Sequence, residues 1–148
     1  MSARLPGTDV RLRRSRRRDL DGVHALLAAG DGLRRARFDR RTLSDLAQDV
    51  YVAEAPGGEV VGVVAVAYLR SLHRGRFAAV LDTARTHAGP REPLLDRLIA
   101  FAEERARRRG CRQVRAWLDP DDGVLRAALL SRGWQLGDAL EAALEIDR

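Results

Sequence analysis

Two kinds of hydrophobic pattern share this chain. Runs in which apolar and polar residues alternate, or in which β-branched residues dominate, predict strands, because successive strand side chains point to opposite faces. Runs in which apolar residues recur every three or four positions predict helices. The predicted strands are Asp9–Arg13, Val50–Glu54, Glu59–Leu69, Phe77–Thr83, Cys111–Leu118 and Leu140–Ile146. The predicted helices are Ser15–Gly30, Thr42–Gln48, Pro93–Arg109 and Val124–Ser131.

Small residues mark the predicted boundaries. Ser15 is predicted to cap the first helix, and Gly110 to end the third. The turn at 56–58 joins the second and third strands as a hairpin. Gly62, inside the third strand, predicts a bulge or a close backbone approach. The order β α α β β β α β α β indicates one α/β domain over residues 1–148, with a mainly antiparallel meander and later crossovers.

Composition narrows the function classes. The length of 148 residues suits a single domain with its own core. The longest apolar run, Val60–Leu69, is about half of a membrane span, and no basic start leads into an apolar segment at the amino terminus. We therefore expect a cytoplasmic protein without membrane association. The single cysteine, Cys111, excludes an internal disulfide, gives no metal-site spacing, and is expected to fill a small apolar space.

The net charge of +6 raises a nucleic-acid-binding hypothesis, which we rank third. All 27 basic residues are arginine, which indicates a biased use of arginine across the chain rather than a phosphate-binding face. The runs Arg16–Arg18 and Arg107–Arg109 lie where helices are predicted to start or end. We expect these runs to be solvated helix surface and expect no nucleic-acid partner.

The stretch Phe77–Gly110 combines a strand, a polar loop and the start of a long helix. The loop holds His87 and Gly89, and the helix begins near Pro93. The first amides of a helix are unpaired and carry a partial positive charge. A strand, loop and helix start of this kind is a common anion or cofactor site.

This order of elements and several local segments resemble the GNAT family of acyl-CoA-dependent N-acyltransferases. The opening VRLRRSRRRDLDGVHALLAA, with Asp19 starting the helix, is similar to the family's first strand and helix. YVAEAPGGEVVGVVAVA is similar to its central hairpin, and RAALLSRGW to its late helix and the following Gly133-Trp134 pair. The resemblance implies a mixed, mainly antiparallel sheet flanked by helices, acetyl-CoA or another acyl-CoA as acyl donor, a small-molecule or peptide amine as acceptor, and a homodimer as a candidate assembly.

The resemblance also implies where the cofactor binds. The pantetheine arm would pair with the strand Phe77–Thr83, and the pyrophosphate with amides of the loop that follows. This assigns cofactor contacts to Leu81, Thr83, Thr86, Gly89 and Arg91. The resemblance adds Asp122, which stands where an asparagine of the family commonly contacts the cofactor. Within the family's loop pattern only Gly89 matches. Pro90 and Pro93 each remove an amide donor, and Pro93 is expected to hold Glu92 outside helical geometry.

Catalysis in the resembling family uses a base, and often a tyrosine acid. Asp82 is the first candidate base, because its carboxylate follows the apolar residues of the strand; the alternative is a strand-end carboxylate satisfied by loop amides or an arginine. His87 is the second candidate, as base or phosphate ligand; the alternative is a solvated loop histidine. Leu129 occupies the tyrosine position, so the acid is missing.

Aromatic residues supply the remaining candidates. Phe38 and Tyr68 are candidates for binding the acceptor, with ordinary packing as the alternative for each. Trp117 and Trp134 are predicted in the core. Two functions stay open at this point: an N-acyltransferase, and a catalytically inactive GNAT-fold module that binds a partner and does not use acetyl-CoA in the usual way.

Overall fold

A computed structural model describes residues 2–28, 48–71, 75–87 and 92–137. A 3-10 turn at Arg17–Asp19 leads into the first helix. The strands are β1 (Ser2–Arg4), β2 (Arg11–Arg14), β3 (Gln48–Glu54), β4 (Val60–Ser71), β5 (Arg76–Thr86) and β6 (Val114–Ala116). The α-helices are α1 (Leu20–Ala28), α2 (Glu92–Arg108) and α3 (Gly123–Ser131).

The described strands form one sheet in the order β1-β2-β3-β4-β5-β6. Every neighbouring pair is antiparallel except β5 and β6, which are parallel and are joined through α2. The prediction of a mixed, mainly antiparallel sheet flanked by helices is confirmed. The sequence pattern missed β1, because three residues are too few to show an alternation. Gln48 is in a strand, so its assignment to a helix was wrong; the rest of that predicted helix and the predicted strand Leu140–Ile146 lie outside the described residues.

The sheet separates two layers of apolar side chains. On one face, which we call the α1 side, the helix packs its valine and leucine onto β3 and β4 through Val23, Leu26, Val50, Val52, Val63 and Ala65. On the other, the α2 side, the predicted apolar face of α2 is buried as expected: Leu94, Leu95, Leu98, Ile99, Ala102 and Ala106. Each face of β5 therefore meets a different layer, the α1 side on one face and the α2 side on the other.

Helix α2 begins one residue earlier than the proline pattern predicts. Glu92 is its first residue, so the expectation that Pro93 holds Glu92 outside the helix is wrong. A proline in the first turn is tolerated because the N–H it lacks would have had no partner there. Gly110 ends the region as predicted: it has φ 75°, and Cys111 N–H donates to the carbonyl of Ala106 at 3.0 Å.

The first helical turn is capped by an aspartate rather than by a serine. Arg16 is the capping position, and its N–H donates to Asp19 Oδ2 at 2.6 Å. The hydroxyl of Ser15 is buried without a hydrogen-bond partner in the described part of the chain, so the Ser15 cap prediction is wrong. Arg13 in turn holds Asp19, donating from Nη1 at 2.7 Å and from Nη2 at 2.8 Å. Asp19 therefore ties α1 to β2.

Four other small or aromatic residues test the sequence predictions. A Cβ on Gly62 would lie 3.0 Å from Leu98 Cδ1, and the ladder shifts register beside it, so the predicted close approach is confirmed. Cys111 packs against the α2-side core, as expected. Trp117 is 68% exposed because β6 ends before it, so its core prediction is wrong, whereas Trp134 packs against that core. In the described residues, no helix is long and apolar enough to cross a membrane.

Candidate functional site

Strands β5 and β6 separate part-way along their length. They pair only from Ala79 opposite Val114 to Leu81 opposite Ala116. Beyond Leu81, β5 continues to Thr86 and pairs only with β4 among the described strands. The segment that follows β6 leaves the sheet after Ala116 and leads into α3. Among the described residues, the separation leaves one edge of β5 without a strand neighbour over residues 82–86, a length of about 13 Å at the usual rise of a strand.

The edge of β5 over residues 82–86, which we call the free edge, presents outward-pointing backbone groups at alternate residues. His87 N–H donates to the carbonyl of Val61 at 3.2 Å, so this pair is hydrogen-bonded across the ladder. Antiparallel ladders alternate, so Arg85 and Thr83 also bond to β4. The N–H and C=O groups of Ala84 and Thr86 therefore point away from β4, towards the gap. The edge can pair with an extended ligand that has its own amide groups.

Asp82 stands at a bulge where the separation begins. Ala65 pairs with Thr83 and Val66 with Leu81, which leaves Asp82 as the extra residue of β5. Its carboxylate is exposed on the α1 side, where Gln48 Nε2 lies 3.5 Å and Thr83 Oγ1 3.4 Å from Oδ2. Both contacts are at the long limit of a hydrogen bond, so the carboxylate can accept a proton from a ligand.

His87 lies at the other end of the free edge. Its ring Nε2 lies 3.1 Å from the carbonyl of Val60, so this nitrogen is the donor in the contact. His87 lies five positions after Asp82 in the sequence, a distance of about 16 Å along an extended strand. The structure therefore does not bring the two predicted catalytic residues together.

An ion pair connects the two sides of the gap. Arg85 Nη2 lies 3.3 Å from Asp122 Oδ2, and the side chains are 27% and 14% exposed. Asp122 also begins α3, because its Oδ1 accepts the N–H of Leu125 at 3.1 Å. Sequence reasoning did not select Arg85, since a chain with 27 arginines makes no single one distinctive.

Comparisons with known proteins support the architecture. No protein-family model matches this sequence, and no curated protein matches it. Solved structures do match. A transcriptional regulator from Bacillus halodurans C-125 superposes with a TM-score of 0.73 at 24% identity, covering 94% of this chain and 99% of that one. A ribosomal-protein-alanine N-acetyltransferase from Brucella melitensis biovar Abortus 2308 superposes with a TM-score of 0.72 at 19% identity, covering 93% and 99%.

A third match is the aminoglycoside antibiotic 6'-N-acetyltransferase AAC(6')-Ih from Acinetobacter baumannii. It superposes with a TM-score of 0.73 at 11% identity, covering 94% of this chain and 99% of that one. Near-complete coverage of chains that share so little sequence means that the arrangement of elements itself is shared. This chain has the GNAT fold.

The predicted site residues can now be placed. Leu129, which is predicted to occupy the position of the family's tyrosine acid, is 2% exposed and packs in the α2-side core. Its neighbours Ala128 and Leu130 carry no proton donor either. The predicted cofactor residues Leu81, Thr83 and Thr86 lie on β5, with Leu81 buried and the two threonines half-buried. Gly89 and Arg91, and the acceptor candidate Phe38, lie outside the described residues.

Tyr68 lies on the opposite side of the GNAT sheet from Asp82. Its hydroxyl donates to Asp49 Oδ2 at 3.0 Å, and Arg109 stacks over its ring with a cation-to-centroid distance of 4.4 Å. Burial and the neighbouring Asp49 carboxylate raise the pKa of Tyr68 to about 12. Tyr68 therefore belongs to a buried polar cluster on the α2 side, away from the free edge.

Asp49 is the centre of that cluster. It is 1% exposed and accepts hydrogen bonds from Arg14 Nη2 at 2.7 Å and Arg105 Nη2 at 3.0 Å. Burial disfavours its ionised form, but hydrogen bonds from Arg105, Tyr68 and Arg14 outweigh burial and hold its pKa below the usual value. Sequence reasoning missed Asp49; an acid inside the strand QDVYVAE, among β-branched residues, is the signal that could have found it.

The described residues contain no group of three or more histidine, cysteine, aspartate or glutamate side chains placed to hold a metal ion. A cavity of about 760 Å³ lies beside β6 and α3, lined in part by Trp117, Leu118 and Trp134, and reaches Gly137, where this described segment ends. None of the predicted site residues lines it. The chemistry is concentrated instead at the free edge of β5.

Proposed function

We propose that this protein is an N-acyltransferase that moves an acetyl or other acyl group from acyl-CoA to an amine. The observation that carries the proposal is the separation of β5 from β6 after Leu81 and Ala116. It leaves an open strand edge inside a GNAT fold, with a carboxylate at one end and a guanidinium along it.

The open edge fits the cofactor by its chemistry. Pantetheine is an extended chain with two amide groups, and the free N–H and C=O groups of Ala84 and Thr86 can pair with such groups as a further strand would. Ala84 is 2% exposed, so its backbone groups become accessible to the ligand only when the side chains that cover the edge move aside. Arg85 supplies a positive charge for a phosphate at the same edge.

Asp82 supplies the proton acceptor for the reaction. When bound, acyl-CoA contributes an activated thioester carbonyl. The amine must lose its proton before its nitrogen can form the new C–N bond, and the exposed Asp82 carboxylate can take that proton directly or through one water. Because Leu129 replaces the acid, we propose that the departing thiolate takes its proton from solvent.

Binding of CoA tests the proposal directly. Thermal unfolding followed by circular dichroism, with and without acetyl-CoA at about a hundred times its dissociation constant, should show a stabilisation of about 2.7 kcal/mol. For a chain of this size that is a rise in Tm of about 5 to 11 °C. An unchanged Tm at millimolar acetyl-CoA and at millimolar free CoA would exclude the proposed function.

The role of Asp82 has its own test. Asp82→Asn should lower kcat with a panel of small-molecule and peptide amines by about a hundredfold or more and leave the CoA dissociation constant unchanged, because the carboxylate acts on the acceptor. Asp9→Asn removes another exposed carboxylate, in the turn between β1 and β2, and serves as the control. Unchanged turnover in Asp82→Asn would remove Asp82 as the base.

The second candidate is a GNAT-fold binding module without chemistry. The buried Leu129 favours it, since neither Leu129 nor its neighbours Ala128 and Leu130 can donate a proton. The distance between Asp82 and His87 favours it as well, because His87 cannot assist Asp82. CoA binding without turnover across the amine panel would select this candidate over the enzyme.

A further inference from the structure

The Arg85–Asp122 ion pair lies across the edge on which the ligand would bind. Arg85 pairs with Val63, whose side chain is in the α1-side core, so the Arg85 side chain leaves β5 on the α1 side. Asp122 begins α3, which packs against α2 on the other side of the sheet. To reach Asp122, the guanidinium must therefore pass over the free edge, beside the outward-facing backbone of Ala84 and Thr86.

The contact is also one of the weaker ion pairs in the described chain. The separation of Arg85 Nη2 from Asp122 Oδ2 is 3.3 Å, whereas Arg13 approaches Asp19 to 2.7 Å and Arg132 approaches Glu103 to 2.7 Å. Arg132 also has a second carboxylate, Asp96, at 2.8 Å, so we expect the single, longer contact of Arg85 to stabilise the fold less than the contacts of Arg132 do. Asp122 keeps a separate role when the pair is broken, because its Oδ1 still caps α3.

A phosphate is a stronger partner for Arg85 than Asp122 is. A guanidinium binds phosphate oxygens through two parallel N–H donors, and the two negative charges of a pyrophosphate attract it more than one carboxylate does. Asp122, in contrast, would repel a phosphate placed beside Arg85. A ligand that lies along the free edge must displace the guanidinium from its path and can offer it a phosphate in exchange.

We propose that Arg85 is a phosphate-binding residue of the acyl-CoA site, and that Asp122 holds it in the free protein as an exchangeable partner. The proposal rests on the proposed use of acyl-CoA. It assigns the positive charge at this edge to a strand residue, and it makes Asp122 a competitor of the cofactor instead of one of its ligands.

Three variants separate these roles. Asp122→Asn removes the competing charge and keeps α3, because asparagine caps a helix as well as aspartate does. Arg85→Gln removes the guanidinium. Asp119→Asn is the matched control: it makes the same charge change three residues earlier in the same loop, where Asp119 is exposed and Oδ1 accepts the N–H of Asp121 at 3.1 Å. All three are made in the full chain and checked for an unchanged circular dichroism spectrum.

Calorimetry with CoA and with pantetheine, which has no phosphate, gives the decisive readout. Asp122→Asn should bind CoA about fivefold more tightly, and Arg85→Gln about tenfold more weakly. Both variants also break the ion pair that lies across the edge, so both should bind pantetheine at least as tightly as the unchanged protein does, and Asp119→Asn should bind both ligands normally. An equal effect of Arg85→Gln on CoA and pantetheine, or weaker CoA binding by Asp122→Asn, would overturn the proposal.

Inorganic pyrophosphate distinguishes failure of this proposal from failure of the proposed function. If CoA binds equally to all four proteins, the proposed CoA site stands and the role of Arg85 is refuted. If no protein binds CoA, the acyltransferase proposal fails, and Arg85 is then judged with pyrophosphate. If pyrophosphate binds most tightly to Asp122→Asn and does not bind to Arg85→Gln, Arg85 is an anion ligand. If pyrophosphate binds equally to all four proteins, or to none of them, this role of Arg85 is refuted.

Discussion

Removal of the charge on Asp49 should destabilise this protein more than any change at its exposed carboxylates. Asp49 is 1% exposed and lies between β3 and the last turns of α2, where Arg14, Arg105 and Tyr68 donate to it. In Asp49→Asn the side chain keeps its size, but the guanidinium groups that shared one carboxylate lose their counter-charge. The energetic cost is set by how many of those groups water can reach.

The magnitude follows from the exposure of the partners. Leaving a buried charge without its partner costs about 3–5 kcal/mol. Arg105 is 19% exposed and bears this cost almost fully, whereas Arg14 is 54% exposed and recovers hydration. The asparagine oxygen also keeps one hydrogen bond, worth about 1 kcal/mol. We therefore expect a loss of about 2–4 kcal/mol in the free energy of unfolding, or a fall in Tm of about 4 to 16 °C.

Urea unfolding at pH 7, followed by circular dichroism, measures the free energy of unfolding directly. Asp9→Asn, at an exposed turn position, is the control and should change it by no more than about 0.5 kcal/mol. Arg105→Gln should cost more than Arg14→Gln, because Arg105 is the more buried. A loss below about 1 kcal/mol in Asp49→Asn, or the reverse order of the two arginine variants, would refute the reasoning.

The remaining predictions concern packing, a second ion cluster and pH. Gly22→Ala should destabilise the protein although alanine favours helices, because its Cβ would lie 2.9 Å from the Cβ of Val60; equal or higher stability in urea would contradict this. Arg132→Gln should cost about 1–2 kcal/mol by urea unfolding, since Arg132 donates to Glu103 at 2.7 Å; an unchanged midpoint would show that the pair is not stabilising. The folded pKa of Asp49 is lowered, so its stabilisation is present above the unfolded pKa of about 3.9 and is lost as pH falls through the folded pKa. Stability should therefore fall below about pH 4, with a smaller fall in Asp49→Asn; equal falls would contradict the assignment.

The strands and helices of this fold were largely predictable because each has a strong local pattern. The apolar face of α2 could be listed residue by residue, and Gly110 could be recognised as its end. The prediction failed where the signal is not local. Ser15 has the chemistry of a helix cap, but Asp19, held by Arg13, already accepts the N–H of Arg16 at the capping position. Trp117 is apolar, but β6 ends before it and leaves it exposed.

The candidate site was predictable only in part for the same reason. Asp82 and Asp122 could be selected by their place in the chain, one at the end of an apolar strand run and one before a helix. Their neighbours could not. Arg85 lies within 3.3 Å of Asp122 because two elements distant in sequence face each other across a gap. His87 and Asp82 are close in sequence, yet the extended strand between them keeps them about 16 Å apart.

The sequence by itself determined many of the segments that become strands and helices, and it predicted that the family's phosphate loop and its tyrosine acid are altered. Those properties are local, since they depend on residue type and spacing. Only the tertiary structure decided which charges meet, because ion pairs and open edges arise where distant segments are brought together. The separation of β5 from β6 after Leu81 is such a feature. The sequence pattern of a strand does not identify the strands beside it. The proposed site lies where β5 has no strand neighbour on one edge among the described residues.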